Sequence, residues 1–137
     1  MESISALMIE DSLGDGHYIS QIIQEEEKIK ITVEQTFRLS TGLDKLNKNK
    51  YDVILLDLSL PDSTGLNTLT RLLPEAKSIP VVVMTGLEDE ELALKAVKLG
   101  AQDYLIKYQI DCRTLVRSIC YAIARQNTSK ISEETCL

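Results

Sequence analysis

The sequence predicts an α/β fold in which five strands of a parallel sheet alternate with five helices. Three observations predict it. Apolar runs of strand length alternate along the chain with segments of helical period. Two of those runs, 53–56 and 80–84, lack polar alternation, as strands covered on both faces do. Polar or charged residues, Asp57 and Thr85, stand where these two runs stop.

Each element follows in order. Residues 4–9 are a short apolar run that ends in Glu10 and Asp11. Residues 12–27 read as a helix, with Leu13, Ile19, Ile22 and Ile23 at helical spacing. Residues 29–35 alternate apolar and polar through Ile29, Ile31 and Val33, which suits a half-exposed edge strand. Residues 40–47 form a short helix around Leu43 and Leu46. The covered strand 53–56 is followed by a helix at 65–73 carrying Leu66, Leu69, Leu72 and Leu73. After the covered strand 80–84 comes a helix at 89–99, closed by Gly100, a residue type favoured just past a helix end. Glu88, Asp89, Glu90 and Glu91 crowd its start, where the helix dipole favours negative charge. A fifth strand at 103–106 precedes Lys107. A last helix at 114–125 presents Leu115, Val116, Ile119 and Ile123 inward. Residues 1–125 are expected to be one domain, and 126–137 a polar, irregular tail or the start of a linker.

Composition narrows the function classes. Hydrophobic residues are 44% of the 137-residue chain, enough for a real core, and aromatics only 4%. The net charge of −6 opposes direct nucleic-acid binding. No signal peptide or apolar stretch of membrane-spanning length is visible, so no membrane association and a cytoplasmic location are expected. Cys112 and Cys120 stand about 12 Å apart along one predicted helix, too far for a disulfide. Free thiols in a reducing compartment are the simplest reading of the three cysteines.

The chemistry lies at the strand ends. In open α/β sheets ligands sit outside the carboxyl ends of the strands. Glu10-Asp11, Asp57, Thr85 and Lys107 all fall there. Singly each has a bland role: turn residue, helix cap, dipole partner or solvated charge. Together they form a set. Clustered carboxylates repel unless a cation intervenes, and an all-oxygen donor set with open positions suits Mg²⁺. A carboxylate can attack phosphorus to give an acyl phosphate. The metal and Lys107 would then neutralise phosphoryl oxygens while Thr85 hydrogen-bonds one of them.

On these residues the sequence resembles the receiver domains of two-component response regulators. The resemblance covers residues 4–125. It is carried by Ile9-Glu10-Asp11, LLDLSLPDSTGL at 55–66, VVVMTG at 81–86 and GAQDYLIK at 100–107, with Asp57, Pro61 and Gly65 at the family spacing. It implies a flavodoxin-like, doubly wound sheet of order 2-1-3-4-5. It further implies that Asp57 is the phosphoacceptor. Glu10, Asp11, Asp57 and the backbone carbonyl of Ser59 would hold Mg²⁺, Thr85 would sense the phosphoryl group, Lys107 would pair with it, and Tyr104 would be the aromatic switch. The implied donor is a histidine kinase or phosphotransfer protein. The implied output is a downstream protein partner or output domain, or a homodimer formed through the 89–125 face.

Two positions depart from the family pattern. Tyr108 stands where a proline commonly follows the lysine, so the loop is expected to differ in shape and Tyr108 to flank the 89–125 face. Glu10 replaces the commoner Asp, and its longer side chain is expected to reach the metal through water. Asp15 and Asp62 read as loop or cap residues, and His17, the only histidine, as a surface residue. An aspartyl-phosphate phosphatase is a rival reading, but such enzymes typically carry a second aspartate two residues past the nucleophile, where this chain has Ser59. A flavodoxin-like cofactor binder is a second rival, opposed by the acids in the Glu10–Asp15 loop.

Overall fold

The computed structural model describes residues 3–86 and 88–135. Its elements are β1 (Ser3–Ile9), α1 (Leu13–Gln24), β2 (Lys30–Thr36), α2 (Leu39–Lys48), β3 (Val53–Asp57), the two-residue strands β4 (Ser59–Leu60) and β5 (Ser63–Thr64), α3 (Leu66–Ala76), β6 (Val81–Thr85), α4 (Glu90–Leu99), β7 (Asp103–Ile106) and α5 (Cys112–Thr135). The main sheet is parallel with order β2-β1-β3-β6-β7. Counting only its own strands, this is the expected 2-1-3-4-5.

The sheet separates two apolar layers. Because successive residues of a strand point to opposite faces, β3 sends Val53 and Leu55 to one layer and Ile54 and Leu56 to the other. The first layer packs under α1 and α5 through Ile19, Ile23, Leu115 and Ile119. The second packs under α2, α3 and α4 through Leu39, Leu69, Leu72 and Ala96. Every residue of β3 and β6 is buried, which is why their sequences show no alternation. No described helix is long and apolar enough to cross a membrane.

Helix ends differ from the sequence reading for local reasons. Ser12 caps α1 rather than joining it, its Oγ accepting from the Asp15 N–H at 3.1 Å. The same helix stops at Gln24, because Glu25, Glu26 and Glu27 put three acids where the dipole is negative. Leu13, read at helical spacing with Ile19, Ile22 and Ile23, is 70% exposed while those three are buried. Helix α3 runs past Pro74 to Ala76; burial of Leu72 and Ala76 holds that last turn. The tail expected at 126–137 is corrected in part: α5 continues to Thr135, through residues that contain neither Gly nor Pro. Cys136 and Leu137 lie outside the described residues, while Cys112 and Cys120 are free thiols.

The β4–β5 ribbon, unforeseen from the sequence, folds residues 59–64 back on themselves just past β3. Gly65 leaves it at φ +69°, a left-handed conformation that side-chain-bearing residues seldom take, and starts α3. The turn of this ribbon carries Asp62 to the start of α2.

Candidate functional site

Strand register decides where the polar residues land. Ile9 pairs with Leu56, Asp57 with Met84, and Thr85 with Ile106. The residues at or just past these positions, Glu10, Asp57, Thr85 and Lys107, therefore emerge side by side along one edge. All four are buried.

Lys107 is the hub. Its Nζ lies 2.5 Å from Glu10 Oε2, 2.6 Å from Asp57 Oδ2 and 3.2 Å from Asp15 Oδ2. Burial alone would push the ammonium down, but hydrogen bonds to Asp57 and Glu10 outweigh it and hold the pKa above the ordinary lysine value. Asp57 Oδ1 accepts the Ser59 N–H at 2.8 Å, so each carboxylate oxygen of Asp57 has its own partner. Glu10 Oε1 accepts the Ser12 N–H at 3.0 Å. Glu10 Oε2 is held by its ion pair with the Lys107 ammonium. Burial is the main cause, and a hydrogen bond with Asp57 the next, that pushes the Glu10 carboxyl up to about 8.

Oxygen atoms of Glu10, Asp11 and Asp57 lie within 4.8 Å of one another, and Asp11 is exposed while the other two are buried. An all-oxygen donor set of this spacing, with the exposed Asp11 leaving one side open to water, fits a small hard cation such as Mg²⁺. The acidic loop is held from β2. Gln35 Nε2 donates to the carbonyls of Glu10 at 2.8 Å and Ser12 at 3.1 Å, on either side of Asp11. It crosses Gly16, where a Cβ would come within 2.1 Å of its side chain.

At the far end of the edge, Thr85 and Tyr104 meet. Tyr104 is half-buried and hydrogen-bonds the Thr85 side chain; burial raises the tyrosine pKa, and that bond works against the rise.

The structure thus brings Glu10, Asp11, Asp57 and Lys107 together, with Thr85 and Tyr104 alongside. Two contributions escape the sequence reading. Asp15 is a partner of Lys107 as well as an acid in the first turn of α1. Its position one turn after β1, and so above the same edge, was the available signal. Tyr108 was expected to flank the 89–125 face, and its side chain reaches toward α1. Its hydroxyl donates to Asp15 Oδ1 at 2.6 Å and its ring lies 6.1 Å from that of Tyr18, because the Lys107–Tyr108 turn points toward α1. No cis peptide bond occurs among the described residues. His17 is exposed, as expected.

Comparison with known proteins identifies the family and the fold. The family model for the response regulator receiver domain matches residues 6–119. A probable transcriptional regulatory protein SilR of Salmonella typhimurium is 33% identical over 101 residues, 74% of this chain and 43% of that protein. A protein-glutamate methylesterase/protein-glutamine glutaminase of Methanosarcina acetivorans is 32% identical over 98% of this chain and 34% of its own length. The chain therefore spans less than half of either relative. Among solved structures, the receiver domain of a Francisella response regulator, 1452, superposes with a TM-score of 0.74 at 26% identity, covering 89% of this chain and 98% of that one.

Proposed function

The chain belongs to the response regulator receiver family, and from that premise we propose that it is a phosphoryl-accepting switch whose acceptor is Asp57. The observation that carries the reading is the arrangement of Asp57 itself. A buried carboxylate has Lys107 on one oxygen and the Ser59 N–H on the other, with two further acids beside it. A structural ion pair would not gather further carboxylates around one ammonium, since like charges held together oppose folding.

In the proposed reaction a carboxylate oxygen of Asp57 attacks the phosphorus of a phosphohistidine on a histidine kinase or phosphotransfer protein. The O–P bond forms as the P–N bond breaks, and the imidazole leaves with the donor. Lys107, already 2.6 Å from Asp57 Oδ2, would follow the charge onto a phosphoryl oxygen. Glu10, Asp11, Asp57 and the Ser59 carbonyl would hold Mg²⁺, which when bound supplies positive charge to the phosphoryl oxygens. Thr85 would turn its hydroxyl from Tyr104 to the phosphoryl group, and Tyr104 would then swing into the space left behind. The affected face is α4, β7 and α5 up to residue 125, where we place the contact with a downstream partner, an output domain or a second copy. Residues 1–125 are proposed as the receiver unit, acting in the cytoplasm without touching nucleic acid or membrane directly. We propose no catalytic turnover of an external substrate. Ser59 stands where an aspartyl-phosphate phosphatase would carry its second acid.

Intact-mass measurement after incubation with phosphoramidate and Mg²⁺ tests this reading. One phosphoryl mass should be gained, EDTA should suppress the gain, and Asp57→Asn should abolish it. Gain by the Asn variant at the parent rate would defeat the assignment.

A further inference from the structure

The carboxylate assigned as acceptor is closed in. Asp57 is 2% exposed, and both its oxygens have protein partners. Beyond Lys107 lies a pair that the reaction above does not use. The Tyr108 hydroxyl donates to Asp15 Oδ1 at 2.6 Å, and Asp15 Oδ2 faces the Lys107 ammonium at 3.2 Å. Tyr108 Cε2 also comes to 3.8 Å from where a Cβ on Gly86 would stand. Gly86 directly follows β6, Tyr108 follows β7 by two residues, and Asp15 lies in the first turn after β1. In the sheet, β3 sits between β1 and β6. A side chain that reaches from the end of β7 past Gly86 to the start of α1 therefore spans the stretch of edge on which β3 presents Asp57.

We propose that Tyr108 and Asp15 form a bar across the approach to Asp57, one that sets how fast phosphoryl donors and water reach it. The inference rests on the reading of Asp57 as the acceptor. Both affected reactions need a molecule to arrive from solvent. In uptake the donor brings its phosphorus to the Asp57 oxygen. In loss a water oxygen bonds to phosphorus, the Asp57 O–P bond breaks, and inorganic phosphate leaves with the water's proton. The bar is tied by one side-chain hydrogen bond, and its tyrosine is 61% exposed, so it can open without unpacking the core. Packing against the Tyr18 ring steers it back. The bar thus slows both directions of traffic and lengthens the life of a phosphoryl group already in place. Because proline has neither ring π-face nor hydroxyl, this device belongs to the residue by which the chain departs from the family pattern.

The test compares the parent with Tyr108→Ala, Tyr108→Phe, Asp15→Ala and the double variant Asp15→Ala/Tyr108→Phe. Uptake from phosphoramidate and spontaneous loss after donor removal are both timed in Mg²⁺. Tyr108→Ala should speed both by about tenfold or more, the scale of one lost hydrogen bond to a charged group. Tyr108→Phe should fall between it and the parent, since the ring remains while the tie is cut. The double variant should be no faster than the faster of its two single variants, because both cut the same tie. Thermal midpoints of the Tyr108 variants should fall by only a few degrees, which leaves the protein folded at the assay temperature. Parent-like rates in Tyr108→Ala would overturn the bar while leaving Asp57 as acceptor. Additive effects in the double variant would equally overturn it, by showing that the two residues act separately. A parent that takes no phosphoryl group would remove the acceptor reading and the bar with it.

Discussion

Lys107 shares one ammonium among Glu10, Asp15 and Asp57, and the residue-scale behaviour of the site follows from that shortage of positive charge. Glu10 answers it by holding its proton. Its folded pKa of about 8 lies above the ordinary value of 4.5, with burial the first cause. A group whose pKa rises on folding contributes stability that is complete below its unfolded pKa and is lost as pH climbs through the folded one. Metal-free protein should therefore lose stability relative to Glu10→Gln, which mimics the protonated form, between pH 5 and 8. The loss should not exceed about 1.4 kcal/mol per pH unit. Denaturant titrations in EDTA at several pH values would show it, and a flat difference would deny Glu10 this titration. Glu10, Asp11, Asp57, Thr85 and Lys107 were legible in the sequence because each ends a recognisable strand. The part of Asp15 in the site was not, because a carboxylate in a first helical turn already has a local role with the dipole. Nor was the reach of Gln35 to the Glu10 and Ser12 carbonyls, a contact between residues 25 and 23 positions apart.

At the scale of elements, the chain ends its helices by local chemistry and starts one of them from a distance. Helix α2 begins after Arg38, which gives it no side-chain cap. Asp62, carried over by the β4–β5 turn, accepts the Leu39 N–H at 2.9 Å and the Ser40 N–H at 3.0 Å instead. Those backbone bonds hold the Asp62 carboxyl below its usual range against the opposing effect of burial. Asp62 was read as a loop or cap residue, but the helix it caps could not be foreseen: the partners lie 23 and 22 residues upstream, and only the ribbon brings them together. Asp62→Ala should cost about 1 kcal/mol, the usual value of a lost N-cap. In a domain of this size that lowers the melting midpoint by about 3–5 °C, a shift calorimetry resolves. An unchanged midpoint would mean that solvent caps α2 equally well. Helix existence was readable from period, and helix ends much less so: Glu25 to Glu27 cut α1 short, whereas α3 crosses Pro74 to bury Ala76.

For the whole molecule, the parallel register turns four separated sequence motifs into one edge, and it gives that edge two faces to act upon. The fold was legible because β3 and β6 are buried on both sides and so advertise themselves as unbroken apolar runs. What sequence alone could not place was the direction of Tyr108, which turns toward α1 and leaves the α4–β7–α5 face to Thr85 and Tyr104. If that pair carries the switch, beryllofluoride with Mg²⁺ should shift amide NMR signals beyond the site loops and into residues 89–125. Changes confined to the loops around Asp57 would mean that the signal does not travel by this route, since a ligand moves an equilibrium only by binding one state better. All of this depends on one bond, between phosphorus and an oxygen of Asp57. Borohydride cleaves an acyl phosphate reductively and leaves the alcohol of the former carboxylate in its place. Peptide mass spectrometry after phosphoramidate, Mg²⁺ and borohydride should therefore find homoserine at position 57 alone. Homoserine at another aspartate, or a phosphoryl group that survives the reductant, would contradict the account.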